Sequence, residues 1–267
     1  MLVAINNNQR VEASLAEKGP HYICPNCGGA VTLKKGTVVI HHFAHKRDQL
    51  CDWSRGETRE HMSGKNYLAQ SLRRKGWPAE IECALNIPVG DRRADVVSWT
   101  SQNQFLAFEI QHSSIGLSEI SERAAAYASR NIAQMWIPVL KADVWKAAVN
   151  VDQGRYVIEK FSAVKFIRWI HGFAGKHGMW MFDPSNDCYW HGRLSDYMID
   201  VPLTDWREDG NEMSAGGYSK RSKRWKTLTL TGPFQFEQLT INIKYRKEFR
   251  TPQYYWPSGP VVHLAAN

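Results

Sequence analysis

The chain has 267 residues, 43% of them hydrophobic and 22% charged, which is ordinary globular usage and enough for one large domain or two to three small ones. No stretch reaches the ~20 apolar residues of a membrane helix, and the first ten residues show no basic-then-apolar leader, so a cytoplasmic protein without a membrane partner is expected. A net charge of +8 admits a polyanionic partner, while five cysteines are too few, and odd in number, for a disulfide scaffold.

Residues 1–53 read as short strands, Val38-Val39-Ile40 among them, punctuated by Gly19-Pro20 and Gly28-Gly29. So small a module needs an external staple. Cys24-Pro-Asn-Cys27 sets two thiolates on one tight turn, as two corners of a tetrahedral zinc site require. His42 and His45 are the favoured partners, with Cys51 or His41 as substitutes. Four protein ligands make such a zinc structural.

Residues 57–75 form a helix ended by Gly76 and Pro78, with Met62, Leu68, Ala69 and Leu72 for a buried stripe. Glu57, His61 and Lys65 fall at i, i+4 and i+8 along it. Strands follow at 79–87, 93–99 and 104–111 as an antiparallel meander, then a helix capped by Ser118 and a buried strand at 135–140. Helix, three strands, helix and strand make a mixed α/β unit over 54–150. Residues 151–267 are a β-rich region: a helix at 161–173, a hairpin of 178–182 with 187–191, and alternating strands at 228–230 and 239–245. Its basic excess gathers at Lys220, Arg221, Lys223 and Arg224 around Trp225. This is either a nucleic-acid contact, tracking phosphates and stacking a base, or a plain solvated loop.

Asp95 and Glu109 are carboxylates in otherwise apolar strands, costly to bury unless paired or metal-bound. From adjacent strands they make a hard oxygen site suited to Mg²⁺. Gln111 shares the face of Glu109 by strand alternation. Simple salt bridges, Asp95 to Arg92 or Arg93 and Glu109 to Lys65, are the alternative. Loop length separates the two arrangements. A three-residue loop at 101–103 pairs Thr100 with Gln104 and sets Asp95 opposite Glu109, whereas a four-residue loop puts them on opposite faces.

The run Cys24-Pro-x-Cys27, His42-Phe-Ala-His45, Glu57-x3-His61-x3-Lys65, Arg93-Ala-Asp95-Val, Glu109-Ile-Gln111-x-Ser113, Arg123-x3-Tyr127 and Trp136-Ile137 resembles the CoiA-type competence proteins over about residues 1–140. The resemblance implies a zinc-finger-like head and a nuclease core of the PD-(D/E)XK type, with a restriction-endonuclease-like mixed sheet flanked by helices. It implies a Mg- or Mn-dependent DNA nuclease acting in DNA processing or recombination, with Asp95 and Glu109 as Mg²⁺ ligands and Gln111 where the superfamily usually has lysine. Lys65, His61 or Arg123 would restore the charge that a glutamine lacks. Glu57 would add a third carboxylate, His61 would meet the scissile phosphate, and Arg123 with Tyr127 would hold the DNA backbone. Two further functions fit the same residues: a catalytically silent nucleic-acid-binding accessory protein, and a scaffold whose zinc head recruits a recombination protein.

Overall fold

The computed structural model describes residues 1–266 except 37–38, 47–50, 52, 54–56, 86–91 and 210, so Val38 and the expected strand end at 86–87 lie outside the described residues. Five short strands open the chain: β1 (Val3–Asn6), β2 (Gln9–Glu12), β3 (Tyr22–Ile23), β4 (Ala30–Lys34) and β5 (His42–His45). They form one antiparallel sheet in the order β2-β1-β3-β4-β5 around a small core that includes Ala4, Tyr22, Val31, Leu33 and Phe43.

Next come α1 (Arg59–Arg74), β6 (Ala79–Leu85), β7 (Arg92–Trp99), β8 (Phe105–Gln111), α2 (Leu117–Ser129) and β9 (Ala133–Pro138). The Thr58 hydroxyl caps α1 by accepting from His61 N at 3.2 Å, so Glu57 precedes the helix instead of riding on it. Helix α2 begins after Gly116. Ser118 lies inside it and donates to Glu122 Oε1 at 2.6 Å, which corrects its expected role as cap.

The remaining elements are β10 (Val149–Asp152), β11 (Arg155–Phe161), α3 (Lys165–Ala174), β12 (Met179–Asp183), β13 (Cys188–Val201), β14 (Thr204–Glu208), β15 (Asn211–Ala215), β16 (Tyr218–Phe234), β17 (Leu239–Arg246), β18 (Phe249–Arg250), β19 (Tyr255–Trp256) and β20 (Gly259–Ala266). Helix α3 starts later than expected because Phe161 still pairs within β11. The basic segment lies in strand β16, paired with β13 over most of its length, where a solvated loop was the plain alternative.

The central sheet has six strands in the order β17-β20-β9-β8-β7-β6. Its two parallel pairings are β8 with β9 and β9 with β20. Residues 54–150 supply four of these strands, and the tail supplies β17 and β20. Helix α1 covers one face, where Met62, Leu68 and Leu72 meet Ile81, Val96, Phe108, Ile110 and Ile137. Helix α2 covers the other, with Ala126 and Tyr127 on Ala94, Val97 and Ala107. The fold is thus a mixed α/β sheet flanked by helices, with a Cys/His module before it and a β-rich region after it. Among the described residues no helix is long and apolar enough to cross a membrane.

Candidate metal centre and active site

The CxxC turn is built by its backbone. Cys24 N donates to Gly29 O at 2.8 Å and Gly28 N to Cys24 O at 3.0 Å, with Gly28 at φ +67°, a conformation that favours glycine. Opposite this turn stand His45 and Cys51. The ligand atoms of Cys24, Cys27, His45 and Cys51 all lie within 4.8 Å of one another. Cys24 Sγ and Cys51 Sγ are 3.8 Å apart, and Cys27 Sγ is 3.3 Å from His45 Nε2. A tetrahedron with metal–sulfur bonds of about 2.3 Å has sulfur–sulfur edges of about 3.8 Å, so the group fits a zinc ion. Burial pushes the Cys24 thiol up to about 11. Burial acts the same way on Cys51, but hydrogen bonds from Asn26, Trp53 and the neighbouring thiols outweigh it and leave that thiol below its ordinary value.

His42 is not in this group. Its Nδ1 hydrogen-bonds to Ile40 O at 2.9 Å, and Cys51, the substitute, takes the place expected for it. Strand alternation is the reason. His45 pairs with Val31 as Phe43 pairs with Leu33, so His45 shares the inward face of Phe43, while His42 is an odd number of residues away.

The β7–β8 hairpin has the three-residue connection. Thr100 N donates to Gln104 O at 3.0 Å, and Asn103 takes φ +59° as the left-handed residue of the turn. The ladder runs from Trp99–Phe105 to Val96–Phe108, and one step further along the same register Asp95 stands across from Glu109. There the carboxylates part. Asp95 Oδ2 accepts from Ile110 N at 2.8 Å and bonds His61 Nε2 of α1 at 2.9 Å. Glu109 turns to α2, where Arg123 Nη2 donates to Oε2 at 2.6 Å and the Tyr127 hydroxyl donates to Oε1.

Both carboxylates are nearly inaccessible, at 6% and 2%. Burial alone would raise Asp95, but His61, with Lys65 and Arg123 beyond it, holds it well below the usual carboxylate range. Glu109 goes the other way. Its burial, helped by the Asp95 charge, prevails over Arg123 and Tyr127 and lifts it above its ordinary value. Asp95 Oδ2 already takes two donors, while each Glu109 oxygen keeps a second lone pair beyond the donor it holds. Two buried carboxylates that repel one another are a hard oxygen donor set matching Mg²⁺ or Mn²⁺.

The other expected site residues are arranged differently. Lys65 is fully buried with Nζ between Glu57 Oε1 at 2.6 Å and Glu82 Oε1 at 2.5 Å. Glu57 also accepts from Arg93 Nη2 at 3.0 Å, so it faces cations and is no third ligand beside Asp95. Gln111 Nε2 donates to Ser113 O at 2.5 Å. Tyr127 is fully buried and Arg123 lies 5.5 Å from the Trp136 ring, so the pair grips Glu109 instead of facing a DNA backbone. On β16, Lys220, Arg221, Lys223 and Arg224 are exposed, Arg224 stacks on Trp225 at 4.3 Å, and Arg221 pairs with Asp196 at 3.2 Å.

Glu82 is the residue that sequence reasoning missed. It lies between the Ile81–Val96 and Cys83–Ala94 pairs of β6 and β7, adopts φ +54° and is fully buried. Its Oε2 accepts from Leu2 N at 2.9 Å and Val3 N at 3.3 Å, and Arg93 Nη1 donates to Trp53 O at 2.9 Å. This buried charge cluster therefore joins the Cys/His module to α1 and the carboxylate hairpin. The available signal was a second carboxylate between Ile81 and Cys83.

A family model described as the nuclease-like domain of the competence protein CoiA matches residues 57–163, and one described as the CoiA N-terminal domain matches residues 5–54. The competence protein CoiA of Bacillus subtilis (strain 168) is 26% identical over 137 residues, covering 51% of this chain and 34% of that protein. The match thus spans about a third of the length of that curated relative.

Proposed function

The chain belongs to the CoiA competence protein family, and on that premise we propose that it is a metal-dependent deoxyribonuclease acting in DNA processing or recombination. What supports this reading is that Asp95 and Glu109, two buried carboxylates, sit on adjacent strands one step beyond the end of the β7–β8 ladder. These two residues would hold Mg²⁺ or Mn²⁺. A divalent ion there supplies an activated water and a Lewis acid for the phosphate. The protein's own groups fix the carboxylates: Ile110 N–H and His61 orient Asp95, and Arg123 with Tyr127 orients Glu109. Arg123 also brings beside the pair the positive charge that Gln111 cannot carry. Cys24, Cys27, His45 and Cys51 would hold a structural zinc, and the cations of β16 offer a contact for the DNA backbone.

Two observations favour binding without turnover. Lys65 is locked between Glu57 and Glu82, and the Gln111 amide is turned to Ser113 O. A cleavage assay on single-stranded, duplex and branched DNA, with Mg²⁺ and with EDTA, separates the readings. The nuclease reading expects cleavage that EDTA abolishes; DNA binding with no cleavage of any substrate would leave the accessory reading.

A further inference from the structure

Two cavities of about 400 Å³ each share His112, Val139, Leu140 and Lys141 and so make one continuous cleft. One arm reaches the first turn of α1 at Arg59 and Glu60, next to His61, and the other runs under β11 to Ile158 and Lys160. The cleft lies beside the carboxyl end of β8, the strand that carries Glu109. Val139 N donates to Gln111 O at 2.9 Å, and His112 follows Gln111 in the chain.

The β11 arm has an apolar floor that includes Leu140, Ile158 and Met181, and a polar rim that includes His112, Lys141 and Lys160. Acidic residues line it too, Asp143 and Glu159, so it is no track for a polyanion; it suits a flat, mostly apolar group with polar edges. The rim also carries backbone strain. Between Ile158 and Phe161 the register of β11 on β16 shifts, and Lys160 takes φ +49° at that bulge. Left-handed lysine costs energy that an ordinary strand avoids, and bulges re-aim side chains next to sites. His112 adds an unsatisfied donor or acceptor: its Nδ1 is buried without a hydrogen-bond partner.

We propose that this cleft seats one unpaired nucleotide of the DNA strand beside the scissile phosphodiester, its base on the Leu140, Ile158 and Met181 floor and its polar edge at His112 and Lys160. The inference rests on the nuclease reading above and names its substrate class: single-stranded, tailed or frayed DNA. A cleft of about 400 Å³ lies in the usual range for small-ligand sites. A stacked, paired base cannot enter it without leaving the duplex, at a cost an already unpaired base does not meet.

The test uses the full chain carrying Asp95→Ala to suppress turnover, with fluorescence anisotropy of a short single-stranded oligonucleotide and a blunt duplex. Ser162, exposed on the cleft wall, is changed to Trp to fill the cavity, and Lys160→Gly removes the cation while suiting the left-handed backbone. Each change should weaken single-strand binding by about tenfold and leave duplex binding within about twofold. Single-strand affinity unchanged in both variants overturns the cleft assignment, as does equal weakening for duplex. Wild-type cleavage in Mg²⁺ is followed in parallel. If cleavage persists while the cleft variants bind single strands normally, the cleft alone fails; if no DNA is cut, the nuclease reading fails, and if none is bound, the cleft assignment fails as well.

Discussion

The Cys/His cluster and the carboxylate pair are two places among the described residues where ligand-type side chains gather, and they are built in opposite ways. In the cluster, Cys24, Cys27, His45 and Cys51 come from a turn, a strand end and a connecting segment, and face mainly one another. Around them is a small core of few apolar residues. In the pair, Asp95 and Glu109 are already held by His61, a backbone N–H, Arg123 and Tyr127, inside a sheet covered on both faces. On the proposed reading the first arrangement would need an ion to be stable, while the second is held in place by the protein and would need an ion only to react.

The largest expected effect breaks the first region. Cys24→Ser/Cys27→Ser should lose about one equivalent of bound zinc and the cooperative melting of residues 1–53, since structural zinc contributes on the order of 10 kcal/mol to small modules. Metal analysis and calorimetry check it, and a wild-type melting profile in the double variant would contradict the contrast. Asp95→Ala acts on the second region in the reverse sense. Cleavage should fall by roughly a thousandfold or more while zinc content stays at wild type and DNA affinity holds or rises, because one carboxylate no longer repels phosphate. Cleavage that survives in nuclease-free preparations would put the reaction elsewhere.

The cluster that joins the two regions gives a smaller effect. Lys65→Met leaves Glu57 and Glu82 buried without the cation they share, with Arg93 and the amino group of Met1 still nearby, and should destabilise the protein by about 3–5 kcal/mol in denaturant titrations. Lys65→Met with Glu82→Leu should be less unstable than the two single changes added together, and simple additivity would mean the contact carries no coupling.

The smallest effect concerns His263, away from both regions, and serves as a control. Burial, with His177 at a ring distance of 4.3 Å and Lys244 nearby, lowers it to about 4. The unfolded chain therefore binds the proton first as pH falls through about 6.5, and stability present above that value is lost down to about pH 4. His263→Gln should flatten the drop in denaturation midpoint between pH 7.5 and 5. A variant that loses stability as steeply as wild type would exclude this group as the source.

Local rules made much of the site legible. The hairpin register follows once the loop is three residues long, because Thr100 opposite Gln104 leaves Asp95 opposite Glu109, but the residues at 100–104 alone left a four-residue loop open. The CxxC turn was legible from two cysteines and the glycines after them. His42 misled because it lies in the same histidine cluster as His45, whereas a strand puts residues three apart on opposite faces. Lys65 and Glu82 were hidden for another reason: charges at helix and strand positions read as solvated until tertiary structure buries them together. Nothing in the spacing of residues 239–266 says that β17 and β20 belong to a sheet begun at residue 79, since that pairing is set by distant partners.

The placement of β20 has a consequence for how the molecule is assembled. Its parallel partner β9 lies far upstream, with Val261 opposite Gln134, so during synthesis β9 emerges long before the strand that covers it. Until then β9 is an open edge of the apolar run Met135-Trp-Ile, the kind of surface that templates aggregation. Closing so long a loop also makes the last pairing slow. The β-rich tail thus guards the sheet's edge, and chains cut short before residue 259 should collect in inclusion bodies even though every side chain of the candidate active site is present.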